Sequence, residues 1–487
     1  MIPFGPWRPD AASPNSGFAV TAENAKPKRS GQRLGYAPFP GLVQAVGAEA
    51  LPAEPRGDIS LVKADGTYQV YFATATTIEQ MDSSNQFTSV ATGLNVTSGD
   101  DMSFCAFGSF LLNTNTTDGM HAYNFETPAG NNAVSGAPDA RVAFSANNVV
   151  IALDCDGNNR RMQTSGVGDH TAWDSKGADG KTFEDGGALM CGCDLQNGAA
   201  LIAQDNAIRL MQFGGAPGGA LYRISKVADG LGVVGPRALV GFNGRAWFMS
   251  SRGPYEYTLG GQPRPIGEGK VADWFLGEIS TEDLRKVKAW IDPESNVIGF
   301  QFRRSGVASS TIYEDSLCYD YEIGEFFLLS VPAALITRIA TAGYTVDGPY
   351  AAIIVDDNDT YVDDRLYQGG QPKLAALDED LKFSTFSGTP MAAELETCEL
   401  TKWGHERVTG VKAIIDTADA TVRLAYKQRL QNSLTYGDAV AIDVDGFAPV
   451  DEAGEVYALR LNVPAGSTWN NAEGFDGIEG TGATSPR

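Results

Sequence analysis

One pattern limits what this chain of 487 residues can fold into: from residue 60 to 370, a short apolar strand, a turn rich in Asp, Asn or Gly, and a second strand recur. The first strands read 67–75, 109–114, 148–154, 199–205, 245–251, 296–302 and 350–357, and their partners 77–81, 120–125, 160–164, 207–213, 254–259, 317–323 and 365–369. Their centres lie about 40 to 55 residues apart, the interval of four-stranded propeller blades. The evenness of this long period is the informative part, because any all-β protein shows strands about every 8 to 12 residues. The expected fold is therefore all-β, a six- or seven-bladed β-propeller over residues 41–390, in which each blade buries its faces against two neighbours and closure removes most free sheet edges.

Composition agrees with this reading. The chain is 43% hydrophobic and 10% aromatic, enough to fill a core, and its 56 Gly and 24 Pro supply the turn chemistry of many hairpins. One helical interruption is expected where Ser280 caps Glu282 and Asp283, with Leu284, Val287 and Trp290 on one face, ending before Asp292 and Pro293.

The two ends differ from the repeat. Residues 1–40 hold seven prolines without sustained periodicity, which predicts an extended arm. Its charge is also distinct: Arg8, Lys26, Lys28, Arg29 and Arg33 face only Asp10 and Glu23, on a chain whose formal charge is -23. Such an arm is either a loose tail or a strap over the acidic surface of a neighbouring subunit, and these five cations are the candidate inter-subunit or adaptor contacts. Beyond residue 390 the blade period stops, and alternating stretches at 391–400, 411–416, 421–428 and 456–463 predict a small β-sandwich or barrel domain over 391–487. Its Gly-rich end from Gly474 is expected to be mobile.

Charge and motifs exclude several kinds of chemistry. An acidic chain of pI near 4.5 is a poor ligand for nucleic acid, since phosphate contacts need clustered Lys and Arg. Six cysteines are scattered, and Cys191 and Cys193 lack the partners of a zinc site and the spacing of a redox pair, so reduced, buried thiols are expected. The start of the chain lacks the basic and apolar segments of a signal peptide, and no long uncharged apolar stretch predicts a membrane span, so cytoplasmic synthesis is expected. The segment Gly267-Glu268-Gly269-Lys270 fails as a phosphate loop because Arg264 and Val271 replace the required Gly and hydroxyl residue. There is no exposed-serine elbow, and His121, His170 and His405 are far apart in sequence. Asp154 to Asn158 and Asp356 to Asp359 are oxygen-rich but read as hairpin turns, and neither has the glutamate of a calcium loop. The aromatic pairs Trp247-Phe248, Tyr255 and Tyr257, Tyr319 and Tyr321, and Phe326-Phe327 read as core filling between sheets. No catalytic, cofactor-binding or metal-ligating residue is assigned.

Several segments, taken in order, resemble the hub, nozzle or packaged-DNA stabilisation proteins in the tails of short-tailed bacteriophages and their relatives. They are the Pro-rich opening that ends Arg33-Leu34-Gly35-Tyr36-Ala37-Pro38-Phe39-Pro40-Gly41; Trp173-Asp174; Asp185-Gly186-Gly187; and the run from Ile208 to Gly215. Gly244 to Ser250, Gly253-Pro254-Tyr255-Glu256-Tyr257, Gly267 to Val271, and a final region with Trp469, Gly474 and Gly477 continue the series. The likeness covers most of the chain, but its elements are degenerate, and Glu325-Phe326-Phe327 stands where the family carries a tryptophan.

The resemblance implies a virion protein without enzymatic activity. It would form a ring of six copies below the portal-adaptor ring and above a plug, needle or fibres, with DNA passing through the lumen without sequence-specific binding. An acidic lumen would repel DNA over the screening length of about 10 Å. The rival expectations are a glycan-cleaving propeller acting through a carboxylate pair, and a receptor-binding module at the tail periphery.

Overall fold

The structure, a computed structural model, describes residues 1–31, 33–214, 221–307, 311–340, 372–429 and 431–482. Its repeating unit is a four-stranded antiparallel meander, as in Gly57–Val62, Tyr68–Ala73, Thr77–Met81 and Phe87–Thr92, the first blade. Turn chemistry sets the unit: Asn147 and Asn148 (φ 46° and 63°) join Ala140–Ala146 to Val149–Cys155, and Asn243 with Gly244 does the same between Leu239–Phe242 and Arg245–Ser250. Two successive positive φ values give the turn whose twist matches a hairpin, and Asn and Gly reach that region at least cost.

The second strand of each unit is sealed on both faces. Every residue of Ala199–Gln204 and of Val297–Phe302 is buried, which explains the unbroken apolar runs in the sequence. The hydrophobic clusters lie between blades: Leu61, Tyr71 and Ile78 of the first meet Leu111 and Tyr123 of the second, and Phe144, Leu153 and Met162 of the third meet Ile202 and Met211 of the fourth. Each blade therefore completes its core only through its neighbours.

The protein is a closed β-propeller. Six four-stranded sheets stand separately, and a further meander, Lys288–Asp292, Val297–Phe302, Tyr313–Asp320 and Glu325–Ala333, fills the sixth position in the ring while continuing into a larger sheet. First strands of successive blades pack side by side around the axis, from Gly57–Val62 through Leu335–Ala340 and back to the start. Six of the expected hairpins coincide with the second and third strands of blades one to six. The expected hairpin at 350–357 and 365–369 lies outside the described residues. Among the described residues the last blade comprises Leu335–Ala340, Pro372–Leu377 and Phe383–Pro390, with Pro40–Gln44 from the start of the chain as its fourth strand.

Residues 1–40 do not form the expected extended arm. Ile2–Pro3 pairs with Ala472–Gly482; Ala25–Ser30 and Arg33–Pro38 form a hairpin; and Thr21–Glu23 lies between Glu325–Ala333 of the sixth blade and Ala393–Glu396. Phe4, Trp7, Ala22, Ala25, Tyr36 and Phe39 are all buried. Burial of four large aromatic groups offsets the ordering cost that would otherwise leave such a segment loose. Pro3, Pro38 and Pro40 stand at strand ends and Pro27 lies in the short hairpin, where fewer amide donors are required.

The C-terminal region is all-β and leaves the blade pattern, as expected. Ala393–Glu396, Leu400–Ile415, Thr421–Lys427, Glu452–Val463 and Ala472–Gly482 curl into a sheet that Thr21–Glu23 joins to the propeller. The part of the expected mobile end from Gly474 to Gly482 is a strand paired along Leu400–Ile415. The helix expected to reach Trp290 is shorter. Ser280 does cap Thr281–Leu284, its hydroxyl accepting from the Asp283 amide at 3.1 Å, but Trp290 belongs to the strand Lys288–Asp292, and a separate helix, Ala272–Glu278, precedes the cap.

Candidate functional site

The five cations singled out from the sequence fall on one seam, and four of them meet groups of their own chain. Arg8 pairs with Glu325, which also accepts from Lys270 at 3.4 Å. Lys26 lies 3.3 Å from the buried Asp320 and also donates to the Ser295 carbonyl. Lys28 donates to the Asn470 carbonyl at 3.0 Å, and Arg33 sits 3.9 Å from Glu473. The complementarity expected between subunits is thus largely met within the chain. Lys28, Arg29 and Arg33 are nevertheless exposed together on the hairpin of Ala25–Ser30 and Arg33–Pro38. Long-stemmed cations at the surface keep most of their hydration, so these three retain the capacity to meet an external acidic partner.

A second constellation lies at the axis, and sequence reasoning did not find it. Where the first strands begin, Gly57, Asp58, Asp101, Ser103, Phe104, Arg141, Arg237 and Ala289 contribute to the wall of a cavity of about 210 Å³. Asp58 holds the Arg237 guanidinium on one oxygen and accepts from the Thr337 hydroxyl on the other. Arg141 pairs with Asp100 at 2.9 Å. Behind them Lys288 is buried, donating to the Ala334 carbonyl at 3.3 Å and lying over the Tyr313 ring. Burial, reinforced by the neighbouring Arg237 charge, holds the Lys288 ammonium down to about 8, and burial pushes the Tyr313 hydroxyl up to about 12. Gly57 is required here because a Cβ would meet the Met102 carbonyl at 2.5 Å. These residues come from different blades, so no local motif could reveal them. The one available signal is a charged residue at the opening of several first strands.

The remaining candidates are structural in their surroundings. His170 packs on Phe107 and Phe110, and burial lowers its ring below the ordinary histidine range. Cys105, Cys155 and Cys193 have thiols raised to about 12, chiefly by burial. Asp154, Asp156 and Gly157 form the hairpin turn expected for them, all at positive φ, while Asp356 to Asp359 lie outside the described residues. Lys270 of the rejected phosphate loop donates to the Gly324 carbonyl at 2.7 Å. Trp247 packs on Tyr321, and Phe248 stacks on Tyr255. Among the described residues no three His, Cys, Asp or Glu side chains gather as a metal-binding group, and no helix is long and apolar enough to cross a membrane.

The chain resembles other propellers. The β-propeller domain of Cps50 (Swd1) from Myceliophteria thermophila matches 70% of this chain and 99% of its own, at 6% identity and a TM-score of 0.41. A streptogramin B lyase matches 70% of this chain and 96% of its own, at 10% identity and a TM-score of 0.38. No family model and no curated protein matches the sequence. The assignment of architecture rests on strand order and ring closure, and such remote likenesses carry nothing about activity.

Proposed function

We propose that this chain is a structural subunit of a virion tail, one of a ring of hub or nozzle copies that closes the tail channel below the portal adaptor, retains packaged DNA and conducts it on ejection. It does no chemistry of its own in this reading. The observation that carries the proposal is the way the two ends of the chain tie the body together: the opening segment closes the last blade and joins the sixth blade to the curled C-terminal sheet. A subunit that must hold against internal pressure benefits from closure of this kind, because the opening segment as a whole cannot peel away without breaking both the last blade and the sheet that contains the sixth. The family resemblance supplies the tail location, the six-fold ring, and the adaptor above and needle, plug or fibres below. The formal charge of -23 supports a lumen that does not grip DNA.

Lys28, Arg29 and Arg33 are the residues proposed to reach an acidic neighbour across the ring. The test is cryo-electron microscopy of the purified chain mixed with the products of its neighbouring genes, beside a K28E/R29E/R33E variant. Closed axial rings for the parent, and folded single subunits for the variant, are expected. Density at a fibre tip, or a chain that stays outside every assembly, would overturn the tail-ring reading.

A further inference from the structure

The axial cavity has a defined chemistry that the proposed tail role does not use. Its charges are already balanced in pairs, Asp58 with Arg237 and Arg141 with Asp100. What remains unspent is specific. Arg237 Nη1 is buried without a hydrogen-bond partner among the described residues, and Asp101 makes no hydrogen bond or ion pair there although its charge acts on Arg237, Lys288 and Tyr313. Arg141 has further guanidinium hydrogens beyond the Nη2 contact with Asp100. The cavity therefore offers a strong acceptor beside spare donors, with Phe104 supplying an apolar patch on the wall.

This combination selects among ligands. A free anion would approach both Asp58 and Asp101, and a free cation would approach two guanidinium groups, so each meets a like charge in a partly desolvated site. A neutral molecule with adjacent hydroxyls meets no such penalty, because each hydroxyl both donates and accepts. One hydroxyl can donate to Asp101 while its neighbour accepts from Arg237 Nη1, and the C–H face of a ring can lie on Phe104. The volume of about 210 Å³ is below the range of drug-sized pockets and limits the guest to one sugar ring or a small polyol.

We propose that the end of the propeller axis, lined by Asp58, Asp101, Phe104, Arg141 and Arg237, binds a neutral polyhydroxylated molecule of monosaccharide size. The guest is either a free sugar or the terminal unit of a glycan, and both present the same ring of hydroxyls. The assignment stands apart from the tail-ring reading and survives its failure.

Saturation-transfer NMR and titration calorimetry on the full chain test it, with a panel of methyl hexopyranosides, a hexose-terminated oligosaccharide, glycine and inorganic phosphate as probes. Saturable binding of at least one pyranoside is expected, with neither glycine nor phosphate competing. Tighter binding of the oligosaccharide would identify a glycan end, and equal binding a free sugar. Asp101→Ala should weaken binding at least tenfold while circular dichroism shows the fold retained, because Asp101 makes no hydrogen bond or ion pair among the described residues. Arg141→Lys, which keeps the charge and loses the planar fork, should weaken it less. Absence of binding by every pyranoside, competition by glycine or phosphate, or an Asp101→Ala variant that binds as well as the parent would each overturn the assignment.

Discussion

Replacing Trp7 by Ala separates a folded opening segment from a loose one. Trp7 is 2% exposed, lies edge-on to Trp274 with ring centroids 4.9 Å apart, and donates its indole N–H to the Val20 carbonyl at 2.9 Å. Truncating a buried tryptophan to alanine costs about 3 to 5 kcal/mol from lost burial and the cavity left behind. With an unfolding entropy of about 2.1 cal/mol/K per residue, a cooperative body of this length has a total near 1 kcal/mol/K, so the melting midpoint should fall by about 3 to 5 °C. A substitution on an unattached arm would cost less than about 0.5 kcal/mol. Differential scanning calorimetry and urea unfolding of the parent and Trp7→Ala chains measure the difference. A midpoint shift below about 1 °C, with an unchanged urea midpoint, would refute the claim that the first residues are part of the core.

Three further outcomes follow from buried groups. Lys288 titrates at about 8 in the folded chain, so between that value and the ordinary 10.5 the unfolded chain binds more protons and stability should rise with pH. Lys288→Met should remove this rise and leave the protein as stable or more stable at pH 7, as pH-dependent urea midpoints would reveal. Glu23 is raised by burial and then by the charges of Asp315 and Glu394, the latter directly opposite it across the strand pair. The folded chain thus holds extra protons just above pH 4.5, and stability should decline as pH climbs out of the carboxylate range; melting curves of Glu23→Gln should lack that component. Gly5 has φ +67°, and a Cβ there would strike the Gly17 carbonyl oxygen, so Gly5→Ala should cost at least about 1 to 3 kcal/mol by urea unfolding.

The propeller was legible because its middle strands advertise themselves. Ala199–Gln204 and Val149–Cys155 are short apolar runs bounded by Asn, Asp and Gly at positive φ, and that signal repeats at every blade down to the sixth. The fourth strand of the last blade is not legible in the sequence because Pro40–Gln44 reaches it from hundreds of residues away, a pairing that no local period encodes. The opening segment is illegible for a related reason: Phe4, Trp7, Tyr36 and Phe39 are spaced neither as a helix nor as a strand, since Phe4 and Tyr36 meet each other, Trp7 meets Trp274, and Phe39 meets Phe327 and Phe386. Arg8 and Lys26 looked available to a neighbour because composition reports charge but not its partners, Glu325 and Asp320. The axial cluster was invisible since Asp58, Asp101, Arg141 and Arg237 come together only when the ring closes.

The strand that closes the ring also sets a timetable. Pro40–Gln44 is made early but pairs with Phe383–Pro390, and Thr21–Glu23 awaits both the sixth blade and Ala393–Glu396. At ordinary elongation rates the opening segment waits on the order of 20 to 70 s on the ribosome before its partners emerge. Such long-range pairing is slow to form and exposes unpaired edges meanwhile. The many prolines and the five cations of residues 1–40 keep that waiting segment from pairing with another chain. Folding of this protein is in that sense completed by its beginning.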